Sequence, residues 1–138
     1  MQELLKKTIE TIQSSITLQD DNELVVALNA NKTYGFMLLI FYNSGTTPDF
    51  DYAFTAPTDA TGFFTNSNIT ADAAALNADL TTENFCAGNV SNKCSVNFGQ
   101  ITNLTNAGNF TVQWAQNVST ASDTSVLVGS YLIVWEET

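Results

Sequence analysis

The sequence offers few side chains that could act as acids, bases or nucleophiles. It contains no histidine, so a Ser-His or Cys-His pair cannot form. Asp49 and Asp51 are two residues apart and therefore share one face of a strand, where a pair of carboxyl groups could flank a glycosidic bond. The simpler interpretation, which we favour, is that both carboxylates face water on the outer side of a sheet. We therefore predict no catalytic residue and no enzymatic activity.

A second acidic group consists of Asp20, Asp21, Asn22 and Glu23. Its oxygen atoms could bind Ca²⁺ in a turn, but the run lacks the spacing and the glycine of an EF-hand loop. A solvated hairpin turn explains the same composition. We predict no metal and no other cofactor.

Cys86 and Cys94 are the only cysteines, and the interval between them is rich in Gly, Asn and Ser. Such an interval is typical of a turn, so the two sulfur atoms could meet across a short hairpin or loop. We predict a disulfide, which would contribute about 2–3 kcal/mol to stability and would indicate an oxidising, extracellular or thermophilic environment. Two free buried thiols are the alternative. A metal site is disfavoured, because two cysteines without histidine are half of a zinc site at best.

The chain contains six Asn-X-Ser/Thr sequons, more than its content of Asn, Ser and Thr would give by chance. Each could carry a glycan in a host that glycosylates its exported proteins. Asn89, in the turn-rich interval between the cysteines, is the best-exposed candidate. The six candidate sites of N-glycosylation are Asn31, Asn68, Asn89, Asn103, Asn109 and Asn117.

Charge and length exclude several classes of partner. Fourteen acidic and four basic residues give a formal net charge of -10, which repels phosphate backbones and anionic lipid and argues against nucleic-acid binding. No apolar run is long enough to cross a membrane as a helix, so we expect no membrane insertion. A chain of 138 residues has the usual length of a single domain. No secretory signal is visible, so we expect that the chain is not exported by the general route, leaves as part of a particle, or is processed from a longer precursor.

The N-terminal residues 2–16 have the spacing of a short amphipathic helix. Leu5, Ile9, Ile12 and Ile16 recur at intervals of four, three and four residues, the seam of a coiled coil. A helix this short is marginal alone, so its stripe either docks on its own domain or forms an oligomerisation stem, and isoleucine at the seam favours three strands. We therefore divide the chain into an N-terminal anchor or stem, residues 1–14, and a β-domain, residues 15–138.

The rest of the chain has the pattern of an antiparallel β-sandwich. The apolar run from Tyr34 to Tyr42 is bounded by turn residues and predicts a central strand buried on both faces. Strict alternation places one set of side chains inward: Phe50, Tyr52, Phe54, Phe110, Val112 and Trp114. Gly129 marks a bend or bulge in the last strand. About eight such strands with short connections predict a jelly roll.

Two aromatic residues near the C-terminus fall on the face opposite to Leu132 and Val134. Tyr131 and Trp135 could contact a partner subunit, or could stack on sugars as in carbohydrate-binding modules.

Several segments resemble a β-domain that recurs in structural proteins of tailed bacteriophages and in related viral proteins. The likeness spans residues 15–135 and is carried by Thr17–Leu24, Leu39–Phe50 with Ala53–Thr55, and Val112–Ser119 with Gly129–Leu132. It implies a virion surface component that assembles as a homotrimer, with other virion proteins and host surface glycans as partners. It carries no catalytic residues. The Cys86–Cys94 interval and the sequons depart from the family pattern and indicate a host that oxidises or glycosylates surface proteins, such as an archaeon.

The resemblance therefore implies a viral structural protein on the virion surface, a capsid decoration, head fibre or tail-fibre component that stabilises the particle or contacts the host. Two alternatives stay open. One is a cellular pilus-like subunit that donates a strand to its neighbour, and the other is a carbohydrate-binding module.

Overall fold

The computed structural model describes residues 1–66, 75–77 and 79–138. In these residues the chain forms twelve strands and no helix. The strands are β1 (Gln2–Leu5), β2 (Glu10–Ile12), β3 (Gln19–Leu28), β4 (Lys32–Ser44), β5 (Phe50–Thr55), β6 (Thr61–Asn66), β7 (Ala75–Asn77), β8 (Asn84–Cys86), β9 (Asn89–Asn103), β10 (Gly108–Ala115), β11 (Thr124–Val126) and β12 (Tyr131–Glu136).

These strands make two antiparallel sheets. Sheet A has the order β1-β12-β4-β9-β6-β7, with β11 paired to β4 and β2 paired to β11; sheet B has the order β3-β10-β5-β8. From β3 to β6, and again from β7 to β10, each strand lies in the sheet opposite to the strand before it. The predicted mainly-β, sandwich-like architecture is confirmed.

Aromatic side chains between the two sheets form the core. Phe36 on β4 packs on Phe54 and Phe110 of sheet B, with ring centroids 5.1 and 4.9 Å apart, and Tyr42 stacks on Phe50 at 4.4 Å. Such pairs add about 0.5–1.5 kcal/mol each beyond the burial of their area. The alternation read from the sequence is confirmed, because these predicted inward residues are all fully buried: Phe50, Tyr52, Phe54, Phe110, Val112 and Trp114.

The central apolar run forms β4, which lies between β12 and β9 in the middle of sheet A. Its inward residues, such as Phe36 and Leu38, are completely buried. The outward ones, Met37, Leu39 and Phe41, are only half buried. The prediction of burial on both faces is therefore correct for the inner face alone.

The predicted N-terminal helix is wrong. Residues 2–5 form β1 and pair with β12 at the edge of sheet A, and residues 10–12 form β2 and pair with β11. The edge of sheet A satisfies the backbone hydrogen bonds of this segment, whereas a helix of the same length would need a separate surface for its apolar stripe. Residues 1–14 are thus part of the β-domain and not an independent stem.

Other boundaries also differ from the prediction. Residues 20–23 lie within β3 and not in a turn, and most of the interval between the cysteines belongs to β9. The predicted bend at Gly129 is confirmed: its φ of 91° lies in the left-handed region that glycine enters without steric cost, and it separates β11 from β12. The ambiguous segment 71–80 lies largely outside the described residues. No helix that could span a membrane occurs in the part of the chain that the structure describes.

Candidate functional site

Asp49 and Asp51 do not form an exposed catalytic pair. Asp51 is buried on the face of β5 opposite to the core, because the segment after β10 covers it and Asn117 Nδ2 donates to its Oδ2 at 2.9 Å. This burial raises the pKa of Asp51. The Asp49 Oδ1 accepts a hydrogen bond from Gly88 N at 2.6 Å. Each carboxylate holds a neighbouring loop, and the interpretation that both face water is wrong for Asp51.

The acidic run of residues 20–23 forms part of a buried charge cluster. Asp21 is 1% exposed, and its Oδ1 accepts hydrogen bonds from the backbone N–H groups of Glu23 and Leu24, both at 2.9 Å. Its Oδ2 lies 2.8 Å from Nζ of Lys6, which is 0% exposed. The predicted solvated turn is therefore absent, and the carboxylate of Asp21 forms an ion pair with Lys6.

Lys6 lies at the centre of this cluster. Its Nζ is 2.5 Å from Glu10 Oε1 and 3.7 Å from Glu23 Oε2. Burial alone would lower the pKa of Lys6, but hydrogen bonds to Asp21 and Glu10 and their charges raise it overall. No group of three metal-ligating His, Cys, Asp or Glu side chains occurs within residues 1–66, 75–77 and 79–138.

Glu23 attaches the N-terminal segment to β3. Its Oε2 accepts hydrogen bonds from Thr8 N at 3.0 Å, Thr8 Oγ1 at 2.9 Å and Lys7 N at 3.1 Å, and these bonds, those from Thr8 first, lower the pKa of Glu23. Because β1 belongs to sheet A and β3 to sheet B, the cluster links the edges of the two sheets.

The predicted disulfide is absent from the structure, in which Cys86 and Cys94 are both free thiols. Cys86 lies on β8 in sheet B and packs against the core. Cys94 is exposed on β9 in sheet A, next to the buried Ser95. Since successive strand residues point to opposite faces, Cys94 points away from the interior that Cys86 faces. Burial raises the pKa of Cys86 to about 11, so its thiol stays protonated at neutral pH.

The sequons differ in their accessibility. Asn31 and Asn109 are exposed. Asn117 is also exposed, but its Nδ2 donates a hydrogen bond to Asp51. Asn89, the site predicted to be best exposed, is half buried at the start of β9. The remaining described sequon asparagine, Asn103, is unsuitable because it is buried and its Nδ2 donates to Asn29 O at 2.7 Å. Asn68 lies outside the described residues.

The predicted coiled-coil seam is not a structural unit. Leu5, Ile9 and Ile16 are exposed, while Ile12 packs partly against the core. Only Leu5 belongs to a larger apolar surface, since it pairs with Tyr131 across β1 and β12. The seam therefore gives no basis for a helical trimer.

The main exposed apolar surface is the outer face of sheet A, the side opposite to the core. Antiparallel register places outward side chains directly beside one another, as in Ile133, Met37 and Phe98 across β12, β4 and β9. Phe98 is 52% exposed. The outer face of sheet A consists of Leu5, Tyr131, Ile133, Trp135, Met37, Leu39, Phe41, Val96, Phe98 and Phe63.

Apart from Glu3 on the edge strand β1, this face carries no charge. No acidic or basic residue points outward from β12, β4, β9 or β6. On β9 the outward residues are the even-numbered positions 92–102. Charged neighbours lie at its margins: Glu3 is on the edge strand β1, and Glu137 accepts a hydrogen bond from Gln100 at 3.1 Å. In a chain with a net charge of -10, an uncharged apolar face of this width is typical of an interaction surface.

Tyr131 and Trp135 lie on the outer face of sheet A, as their alternation with Leu132 and Val134 predicts. Trp135 is 36% exposed, and its indole lies so close to Gly35 that a Cβ at this glycine would overlap the ring. Gly35 thus provides the space that keeps the indole on the sheet.

Comparison with known protein families, curated proteins and solved structures finds no match. The resemblance to phage structural proteins therefore stays a hypothesis, and the function must be argued from the surfaces and clusters of this chain.

One polar cluster lies inside the core. Tyr52 donates to Asn97 Oδ1 at 2.6 Å, lies 3.1 Å from Ser95 Oγ, and accepts a hydrogen bond from Asn84 Nδ2. Burial raises the pKa of Tyr52, so the phenol stays protonated and can donate. The cluster joins β5 and β8 of sheet B to β9 of sheet A, and these hydrogen bonds fix the alignment of the two sheets.

Sequence reasoning missed both the Lys6 cluster and the uncovered outer face. Lys6 is two residues from Leu4, so the two side chains share one face if the segment is extended. The helical spacing of the segment concealed this relation. The apolar residues on both sides of β4 are the signal for the outer face, but in the sequence they predict a strand buried on both faces.

Proposed function

We propose that this protein is a structural subunit displayed on the surface of a virus particle and that copies of it associate through the outer face of sheet A. The observation that carries the proposal is the uncharged apolar surface spread over β12, β4, β9 and β6. Neither a metal-ligand group nor a paired-carboxylate site competes with it in the described residues.

The size of the face supports a protein partner. Four strands about 4.8 Å apart, with roughly six residues each at about 3.3 Å per residue, give roughly 380 Å² of projected sheet. That area is comparable to the largest apolar patch on a typical monomer, about 300–600 Å², and such patches are often functional. It is about half of the roughly 800 Å² that one partner contributes to a standard interface.

Charge favours a second copy of this chain as that partner. Copies with a net charge of -10 repel each other over most of their surface. Two outer faces of sheet A can meet with uncharged side chains at the centre of the contact, because the outward residues of β12, β4, β9 and β6 are neither acidic nor basic. An isologous contact, in which the same face is used by both copies, satisfies this condition.

The order of the strands supports the finer assignment to a jelly roll. Strands β3 to β10 form the two four-stranded sets β3-β10-β5-β8 and β4-β9-β6-β7, an arrangement of eight strands in two Greek keys. Jelly rolls are common in viral capsid proteins, but also in lectins and cupins, so the topology alone does not decide the function.

The virion setting rests on the sequence resemblance. It would make the protein a capsid decoration, head fibre or tail-fibre component that stabilises the particle or contacts host surface glycans. Labelling native particles with an antibody to this protein and imaging them by electron microscopy tests this setting. Label confined to cellular filaments would contradict it.

Association through the outer face is tested with a matched pair of substitutions. Phe98→Asp places a charge on the outer face of sheet A, whereas Phe85→Asp places it on β8 of sheet B at similar exposure, 52% against 44%. We expect a concentration-dependent oligomer for the wild type and Phe85→Asp in light scattering, and a monomer for Phe98→Asp. A monomeric wild type that binds glycans through Tyr131 and Trp135 would instead favour a carbohydrate-binding module.

A second candidate is a pilus-like subunit that exchanges its N-terminal segment with a neighbour. The observation that favours it is the extended segment itself, whose strands β1 and β2 each pair with one other strand, as in strand donation. Removing residues 1–14 and adding them back as a peptide tests this candidate. Filaments that form only when the segment is covalently present would support exchange, and closed oligomers in both cases would contradict it.

A further inference from the structure

The charge cluster around Lys6 contains the parts needed to form an amide between two side chains. An amine, a carboxyl group as acceptor, and a second carboxylate beside the amine are all enclosed between the N-terminal segment and β3. Lys6 and Asp21 are each almost completely buried, so water competes poorly for either group.

We propose that Lys6 and Asp21 become joined by an intramolecular isopeptide bond, with Glu10 transferring the protons. Lys6 Nζ lies 2.8 Å from Asp21 Oδ2. Because Cγ is one bond from Oδ2, the nitrogen is on the order of 3–4 Å from the carbon that it must attack, close to a near-attack distance.

The two oxygen atoms of Asp21 are in different surroundings, as this reaction requires. Oδ1 accepts hydrogen bonds from the N–H groups of Glu23 and Leu24, both at 2.9 Å, and two such donors stabilise the negative charge that develops on an oxygen during acyl transfer. Oδ2 accepts no hydrogen bond from the backbone and lies 2.8 Å from the Lys6 ammonium. Oδ2 is therefore the oxygen free to leave.

Glu10 is in contact with the reacting nitrogen. Its Oε1 lies 2.5 Å from Lys6 Nζ and also accepts a hydrogen bond from Asn22 N at 3.0 Å, which holds the carboxylate in place. Hydrogen bonds within the cluster raise the pKa of Lys6, so the resting amine is an ammonium ion and the reaction begins from an ion pair. Glu10 is placed to remove a proton from it, as a general base does.

The reaction balances without an added reagent. Nζ loses one proton to Glu10 and attacks Cγ, and the negative charge moves to Oδ1. Glu10 returns its proton to Oδ2, a further proton from Nζ follows, and the Cγ–Oδ2 bond breaks with release of water. An ammonium and a carboxylate thus become one amide and one water molecule, and the remaining N–H can donate to Glu10.

The bond would connect the segment between β1 and β2 to β3, and so would join the edges of sheets A and B covalently. Edge strands are where a sandwich opens most readily. A particle surface protein would gain resistance to unfolding from this closure, although the inference does not depend on the proposed function.

Intact-mass measurement of the purified full-length protein is the deciding test. We expect a mass lower than that of the sequence by one water molecule, and no such loss in chain kept unfolded in concentrated guanidinium chloride. A folded wild type with the full mass of its sequence would overturn the proposal whatever the variants do.

Digestion with trypsin locates the bond, since the chain contains lysines at 6, 7, 32 and 93 and no arginine. An acylated Lys6 is not cleaved, so residues 1–7 should remain joined to residues 8–32. A dehydrated aspartate elsewhere would lower the mass equally but leave cleavage after Lys6 intact, which would also overturn the assignment.

Three substitutions assign the roles. Lys6→Arg and Glu10→Gln should each restore the full mass, and Lys7→Arg, at the exposed neighbouring lysine, should keep the loss of water. Circular dichroism of Glu10→Gln should remain that of a β-protein. A bond that still forms to completion in Glu10→Gln would overturn the role of Glu10.

Discussion

The two faces of sheet A have similar side chains but different surroundings. On β4, Phe36 and Leu38 point inward and are fully buried under sheet B, whereas Leu39 and Phe41 point outward and are half buried. Both sets are large and apolar. The inner set is covered by aromatic rings of the opposite sheet, and the outer set is covered only by its neighbours along the same sheet.

This difference separates two uses of apolar residues. The inner face provides the free energy of folding, because its side chains leave water when the chain folds. The side chains of the outer face remain partly in contact with water, and they would contribute further hydrophobic free energy only when a second surface covers them. The two faces should therefore respond differently to the same substitution in the isolated chain.

The largest expected effect comes from comparing Leu38→Ala with Leu39→Ala. Removal of the buried Leu38 side chain should lower the free energy of unfolding by about 2–5 kcal/mol, because it leaves a cavity between the sheets. The outward Leu39 should lose about 1 kcal/mol or less at concentrations where the protein is monomeric. Urea denaturation of both variants measures the difference.

Equal losses for the two variants would contradict this comparison and would mean that the outer face is already covered within one chain. A larger effect of Leu39→Ala on association than on unfolding would sharpen it. Light scattering on the same samples separates these two outcomes.

A smaller effect is expected from the polar cluster inside the core. Tyr52→Phe removes the donor to Asn97 Oδ1 and the acceptor of Asn84 Nδ2 but keeps the ring. Buried polar groups left without a partner should lower the free energy of unfolding by about 1–3 kcal/mol. The control is Tyr131→Phe on the outer face, which should change stability by less than about 0.5 kcal/mol. Comparable effects would show that the inner hydroxyl is not needed for stability.

The inner face could be predicted from the sequence because strict alternation is a local property. The positions of Phe50, Tyr52 and Phe54 needed only the period of a strand. The N-terminal segment could not be assigned in this way, because Leu5, Ile9 and Ile12 fit a helix by spacing while the edge of sheet A, over 100 residues later in the chain, decides their conformation. Long-range pairing of this kind leaves no mark in the local pattern.

The same reason explains why the Lys6 cluster was missed. Asp21 was assigned to a solvated turn, since acidic residues in a row are usually exposed. Asp21 is buried beside Lys6, and the pairing of β1 with β12 places this lysine next to β3. The outer face was visible in the sequence as a second apolar set, but whether another part of the chain covers it is a property of the whole fold.

Acidification should loosen the strand that forms one margin of the outer face. The pKa of Glu23 is lowered from 4.5 by hydrogen bonds from Thr8 and Lys7. Ionised Glu23 therefore stabilises the N-terminal segment above about pH 4.5, and this contribution is lost as the pH falls through the lower folded-state pKa. The protection factor of the Thr8 amide, the hydrogen-exchange rate of an unstructured chain divided by that of the folded protein at the same pH, should fall in this range.

Glu23→Gln serves as the control for this pH dependence, because its side chain does not titrate. Asp51 titrates with the opposite sign: burial raises its pKa, so its protonation favours the folded state. The difference between wild type and Glu23→Gln therefore isolates the contribution of Glu23. Identical exchange profiles in the two proteins would show that the Thr8 amide is protected by other contacts.

The smallest expected effect concerns the packing of Trp135 on Gly35. In Gly35→Ala the new Cβ would overlap the indole, which must swing away from the sheet because it is the movable partner. The free energy of unfolding should change by less than about 1 kcal/mol, since the lost contact is offset by the lower backbone entropy of alanine in the unfolded chain. Acrylamide quenching of tryptophan fluorescence should increase, and it reports on Trp135 because Trp114 is completely buried.

Gly108→Ala is the matched control, as its Cβ would make only ordinary contacts with Pro57, and quenching should not change. The quenching experiment also tests the comparison between the faces. If copies associate through the outer face of sheet A, quenching of wild-type Trp135 must decrease as the protein concentration rises, and Phe98→Asp must abolish this decrease. Quenching that is independent of concentration in a protein shown to be oligomeric would place the contact on another surface.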